Sequence, residues 1–206
     1  MTSPVIPPDA LVLLDYFGIA VFAISGALVA AERKLDFVTF VFFAVMTGVG
    51  GGTVRDLLIG APVFWVNTNA TLLICIGAAL LTWAVPSRWI TGRALLWFDA
   101  AGMAAYAVYG ASKALTYGVA PVPAFVMGVL TACAGGIIRD VIAREPSSLL
   151  RREIYITAAA LAAALFVGLT IAGVSGFLAA PVAVISGFTL RGLAIVRGWS
   201  LPAYSR

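Results

Sequence analysis

The sequence predicts an all-α integral membrane protein of seven transmembrane helices, built as an inverted 3+3 helix repeat plus a seventh helix. Three observations carry that reading. Of 206 residues 62% are apolar and only 11% charged, with a mean hydropathy of +1.06, a composition suited to a bilayer rather than to water. Seven apolar runs follow one another with short loops between them, and most approach the roughly 20 residues that cross a hydrocarbon core. The chain also matches itself at a fixed offset, 135 − 51 = 84 residues.

The runs cover 11–31, 37–59, 70–85, 94–115, 121–143, 154–171 and 176–196. The third and sixth are short for a bilayer, and the second and fifth are interrupted by glycine. So many spans leave no room for a soluble domain, so residues 1–206 form a single membrane domain, with repeat one over about 11–85, repeat two over about 94–171 and the extra helix over about 176–196. The leader, residues 1–10, carries Asp9 and no Lys or Arg, which argues against a cleaved signal peptide.

Orientation follows from the basic residues, which accumulate on the cytoplasmic side of short loops. Eleven of the 13 fall on one side: Arg33, Lys34, Arg88, Arg93, Arg139, Arg144, Arg151, Arg152, Arg191, Arg197 and Arg206. The other side holds Arg55 and Lys113. The N-terminus is therefore expected outside and the C-terminus in the cytoplasm, and the net charge of +4 reads as a topology signal rather than a nucleic-acid patch. Trp65, Trp83, Trp89, Trp97 and Trp199 fall near span ends, where indole rings anchor at the interface.

The internal match is dense. Gly51-Gly52-Thr53-Val54-Arg55-Asp56 recurs as Gly135-Gly136-Ile137-Ile138-Arg139-Asp140, and the same register aligns Asp15 with Asp99, Gly18 with Gly102, Gly26 with Gly110, Thr47 with Thr131 and Pro62 with Pro146. Each copy holds three spans, an odd number, so the second copy enters the membrane from the opposite side. Inverted repeats of this kind place functional sites near the midplane, between the halves.

Gly48, Gly50, Gly51 and Gly52 crowd the second span, and Gly135 and Gly136 hold the equivalent place in the fifth. Glycine costs roughly 1 kcal/mol in a helix interior, so two readings stand. The clusters either bend or unwind both helices and line a hydrated path, or they serve close helix packing, Gly48 and Gly52 forming a GxxxG. From residue 37 to Gly51, and from 121 to Gly135, is 14 residues, roughly 21 Å of helix, which puts both clusters near the midplane and suggests an hourglass path.

Charges beside hydrocarbon are costly and face the bundle interior or water. Arg55 and Asp56 follow one cluster, Arg139 and Asp140 the other. By depth, Asp15 is expected to meet Arg55 and Asp99 to meet Arg139; the alternative is that these side chains only snorkel or lock helix ends. Lys113 breaks the repeat, its counterpart at 113 − 84 = 29 being Val29, and it reads either as a gate or as an outward-snorkelling cation.

There is no His, and Cys75 and Cys133 sit in apolar runs, so neither a metal site nor a disulfide is expected. With no GxxxxGK[ST] and no HExxH, neither an enzyme nor a cofactor is expected, and passage down a gradient or coupling to an ion remains.

The G-x-G-G-G-x-x-R-D pattern from Gly48 to Asp56, its echo from Ala134 to Asp140 and the three-plus-three-plus-one plan resemble the prokaryotic TRIC (trimeric intracellular cation) channels. The resemblance implies a homotrimer in a bacterial or archaeal inner membrane. It also implies one pore per protomer for potassium or other monovalent cations, lined by the first, second, fourth and fifth helices. It carries the kinks onto Gly50, Gly51, Gly52, Gly135 and Gly136 and the flanking charges onto Arg55, Asp56, Arg139 and Asp140. Ala134 stands where the first copy has Gly50, which implies a milder second kink. Expected partners are the permeating cation and membrane lipids, with no nucleic acid and no bound metal beyond that transient ion. Relatives described as putative glycine transporters keep open a carrier for a small zwitterion such as glycine.

Overall fold

The computed structural model describes residues 6–86, 92–146 and 154–202; Arg88, Trp89, Arg151, Arg152 and Arg206 lie outside the described residues. Among the described residues the chain forms seven helices: α1 (Pro8–Glu32), α2 (Phe37–Leu58), α3 (Asn69–Ala84), α4 (Gly92–Thr116), α5 (Pro121–Ile142), α6 (Ile156–Ile171) and α7 (Gly176–Arg197). The bounds fall within a few residues of those read from hydropathy. Prolines start α1 and α5, where the missing N–H is one no helix would use. Asp36 caps α2 by accepting from the Thr39 amide at 3.0 Å and its hydroxyl at 2.7 Å, and those bonds hold its carboxyl below the usual carboxylate range.

Four of these helices, α1, α2, α5 and α7, are long and apolar enough to cross a membrane unaided. The 16-residue α3 and α6 reach only about 24 Å each, short of a full core. Helix α4 has the length, 25 residues, but carries Arg93, Asp99 and Lys113, so it crosses only in company.

The duplication is written into the backbone. Helices α1 and α4, and α2 and α5, begin and end 84 residues apart (8 + 84 = 92, 58 + 84 = 142). Left-handed turn residues recur in the same register: Lys34 (φ 55°) with Gly118 (φ 80°), and Gly60 (φ 66°) with Arg144 (φ 53°). The central body is α1, α2, α4 and α5, with α1 against α4 and α2 against α5; α3 flanks α1 and α2, while α6 and α7 cover α4.

The expectation that the glycine clusters unwind their helices is corrected here. Helical structure runs unbroken from Phe37 to Leu58 and from Pro121 to Ile142, through Gly48–Gly52 on one helix and Gly135–Gly136 on the other. The physical reason is a close crossing. A Cβ on Gly51 would run into the Thr131 carbonyl oxygen, and one on Gly135 would lie 2.6 Å from the Thr47 carbonyl oxygen. Position 51 faces 131 and position 47 faces 135, so the helices run antiparallel and the repeat maps each contact onto the other. Smaller pairs repeat the scheme: Gly18 lies under the Tyr106 ring and Gly102 under Phe22, Gly26 against Thr47 and Gly110 against Thr131.

Gly51→Ala is therefore expected to force α2 from α5 and cost about 1–3 kcal/mol, as overpacking does. Gly77→Ala, where nothing stands within 4 Å of the added carbon, should instead stabilise α3 by about 0.5–1 kcal/mol. Unfolding midpoints in detergent should move in opposite directions for the two variants.

Candidate functional site

Each end of the α2–α5 crossing leads to a buried charge cluster. At the first, Arg55 and Asp56 sit in the last turn of α2, both 0% exposed. Arg55 donates through Nε and Nη2 to Asp56 Oδ1 at 2.9 and 2.7 Å. Lys113 of α4 places its ammonium 2.8 Å from Asp56 Oδ1 and 3.0 Å from Oδ2. The backbone N–H of Phe64 donates to the same carboxylate at 3.0 Å, and Trp65 Nε1 donates to Thr53 Oγ1 at 2.9 Å, so the chain after α2 folds back over this end.

Asp15 does not meet Arg55 in an ion pair as the depth estimate expects. The Arg55 guanidinium lies 4.8 Å over the Tyr109 ring, Tyr109 stacks on Tyr106 at 5.7 Å, and the Tyr106 hydroxyl donates to Asp15 Oδ1 at 3.2 Å. Two tyrosines thus stand between acid and base, and Arg55 takes its own neighbour instead. Lys113 does not snorkel outward either; Asp56 turns it inward, its side chain 14% exposed.

At the second cluster Asp99 and Arg139 do meet. Arg139 Nη1 donates to Asp99 Oδ1 at 2.6 Å and to Ser25 Oγ at 3.1 Å, while Nε and Nη2 donate to Asp140 Oδ1 at 2.9 and 2.8 Å. The guanidinium is 2% exposed, so nearly all its charge is compensated inside the protein. Beside it opens a cavity of about 410 Å³ whose wall includes Val29, Glu32, Arg33, Asp99, Arg139 and Asp140. An ion pair of Arg33 with Glu145 at 2.6 Å stands at its rim.

The structure thus gathers Asp15, Arg55, Asp56 and Lys113 at one end and Asp99, Arg139 and Asp140 at the other, with Gly48, Gly50, Gly51, Gly52, Gly135 and Gly136 between. Tyr106, Tyr109, Ser25, Glu32 and Phe64 join them without having been singled out by sequence. For Tyr109 and Ser25 a signal existed, since 109 − 84 = 25 makes them counterparts that each touch the Arg of their own end. Phe64 lies in a loop and carried none. Arg191, counted from sequence among the charges of the cytoplasmic side and inside the seventh apolar run, lies within α7, 2% exposed, its guanidinium 5.4 Å over the Tyr155 ring. Among the described residues no group of three or more acidic, Cys or His side chains is placed to hold a metal ion.

Comparison with known proteins agrees with this geometry. A family model described as "Glycine transporter" matches twice, over residues 12–87 and 96–171, again 96 − 12 = 84 apart. A "UPF0126 membrane protein" of Vibrio cholerae is 45% identical over 157 residues, covering 72% of this chain and 63% of the relative. The "UPF0126 inner membrane protein YadS" of Escherichia coli is 42% identical over 148 residues, covering 70% and 72%. The solved structure of a TRIC trimeric intracellular cation channel orthologue from Rhodobacter sphaeroides superposes with a TM-score of 0.86 at 46% identity, covering 92% of this chain and 99% of that one. The chain belongs to the prokaryotic TRIC channel family and is a membrane protein.

Asp56 holds two cations, so Asp56→Asn should leave Arg55 and Lys113 jointly uncompensated and cost about 3–5 kcal/mol of stability. Adding Lys113→Met should recover part of the loss. A double-mutant cycle by chemical denaturation measures the coupling, and strict additivity would contradict the pairing.

Proposed function

We propose that this member of the family is a passive channel for potassium and other monovalent cations, assembled as a homotrimer with one path inside each protomer. The observation that carries the reading is the presence, within one four-helix body, of two buried acid–base clusters on either side of a backbone crossing, with an open cavity leading to one of them. Ionisable groups so deep in a membrane protein mark ion paths as a rule. The TRIC orthologue from Rhodobacter sphaeroides, named as a cation channel, supports the ion class.

The path runs between α1, α2, α4 and α5, and its constriction is the crossing at Gly51 and Gly135. Because both helices are unbroken there, main-chain groups line the path only when α2 and α5 part, and the Thr47 and Thr131 carbonyls that now face the opposite helix then face the ion. Thr47 Oγ1, Arg55 Nη1 and Ser112 Oγ, all buried, find no hydrogen-bond partner among the described residues, as suits groups that border a hydrated route. With the N-terminus outside, the cavity opens to the cytoplasm and Lys113 stands on the outer side. Its ammonium, released from Asp56, would respond to the membrane potential at up to about 2.3 kcal/mol per 100 mV. The inner-membrane name of the Escherichia coli relative supports the same location here.

A second reading, a carrier for a small zwitterion such as glycine, is favoured by the description of the matching family model. The two part on turnover. Purified protein in a planar bilayer with potassium chloride is expected to give discrete unitary currents, which a carrier cannot produce. Saturable glycine counterflow without unitary currents would overturn the channel.

A further inference from the structure

Arg55 and Asp56 sit in the last turn of α2, yet both are 0% exposed, because the connection from α2 to α3 lies across them. That connection begins at Gly60, whose φ of 66° turns the chain back, and ends at Thr68, whose hydroxyl caps α3 by accepting from the Ala70 N–H at 3.3 Å. Pro62 and Val66 are exposed, while Phe64 and Trp65 between them are half-buried. The Phe64 ring occupies the space over Gly52 that a side chain there would need. Its centroid lies 5.9 Å from the Arg55 guanidinium and 5.8 Å from the Lys113 ammonium.

Lys113 and this connection are held by the same carboxylate. Asp56 Oδ2 accepts from the Lys113 ammonium and from the Phe64 N–H, each at 3.0 Å. The Trp65 indole adds a bond to Thr53 Oγ1, which is itself aimed by donating to the Val49 carbonyl at 2.7 Å. A partly desolvated aromatic face attracts a cation beside it, so the ring is held where the ammonium rests and loses that hold when the ammonium leaves. None of this belongs to the duplicated scaffold. The 84-residue register that keeps Arg55, Asp56 and Pro62 in the second copy replaces Thr53, Phe64, Trp65 and Lys113 by Ile137, Ser148, Leu149 and Val29. The four residues are missing from that copy together, as expected of a device built for one end only.

We infer that residues 60–68 form a lid over the outer end of the path, latched by Phe64 and Trp65 and released with Lys113. When the ammonium leaves Asp56, the Phe64 ring loses its cation while Asp56 keeps Arg55, so the lid swings about Gly60 and the end of α2 stays compensated. The inference rests on the cation-channel reading and deepens it, coupling the position of one lysine to the access of ions.

Thiol modification of the full-length protein in detergent tests the lid without any current. Ser112 precedes Lys113 on α4, is 0% exposed, and its hydroxyl finds no partner among the described residues, so Ser112→Cys places a thiol beside the latch without removing a hydrogen bond. Cys75 and Cys133 are both buried, and the parent protein gives their background. Modification of the new thiol by the anionic reagent 2-sulfonatoethyl methanethiosulfonate is expected to be slow with the lid intact and about tenfold faster once Phe64→Ala is added, the scale of one desolvated cation–π contact. Trp65→Phe, which removes the indole N–H and keeps a ring, should also speed it and decides the matter if Phe64→Ala does not fold. Lys113→Met leaves the residues of the lid untouched and should raise the rate as well; a rate that stays at the Ser112→Cys level there would overturn the latch, and one unchanged by Trp65→Phe and Phe64→Ala would overturn the lid. Faster modification without unitary currents would keep the lid and remove the channel; unitary currents with unchanged modification would do the reverse.

Discussion

The main chains of α2 and α5 touch because neither Gly51 nor Gly135 puts a carbon between them, and the placement of the rest of the bundle follows from that contact. The contact is antiparallel and near the middle of two 22-residue helices, so each helix presents its Arg-Asp pair at the opposite end of the bundle. Helices α1 and α4 then pack alongside with their own small residues, Gly18 and Gly102 seating the Tyr106 and Phe22 rings. Backbone proximity at mid-depth is the usual use of glycine between membrane helices, where van der Waals packing rather than water drives association. Here it also sets main chain against main chain where α2 and α5 cross.

Burying a guanidinium at each end is tolerable only because each is held by several acceptors. Arg139 has Asp99, Asp140 and Ser25; Arg55 has Asp56 and the face of Tyr109. Such pairs add little net stability, but losing one partner strands a charge in low dielectric. They fix the ends of α2 and α5, with the main-chain crossing between them. The two ends differ in closure. Lys113 and the returning chain at Phe64 pack on Asp56 at the first, and among the described residues a cavity opens beside Arg139 at the second.

Much of this was legible from residues alone, for stated reasons. The 84-residue register is visible because glycines, an Arg-Asp pair and helix bounds all obey it, and it placed four helices and the Asp99–Arg139 pair. The same register gave no way to see that Tyr106 and Tyr109 would part Asp15 from Arg55, since Phe22 and Ser25 hold those places in the other copy. Nor could it decide what the glycines do. A helix-interior glycine looks the same in sequence whether it unwinds a turn or admits a neighbour, and only the Thr131 and Thr47 carbonyls, brought in by tertiary packing, settle the choice. Arg191 counts in the sequence only as a charge of the cytoplasmic side near a span end, and that the Tyr155 ring receives its guanidinium follows from tertiary packing alone.

That ions pass where α2 and α5 now touch can be tested by tying the two helices together. A Cβ on Gly50 lies 3.9 Å from that of Ile138, the spacing a disulfide adopts, so Gly50→Cys with Ile138→Cys can be closed by oxidant and opened by reductant. In single-channel recordings of this variant, oxidation is predicted to silence the current and reductant to restore it. A fully cross-linked protein that conducts at undiminished amplitude would place the path elsewhere.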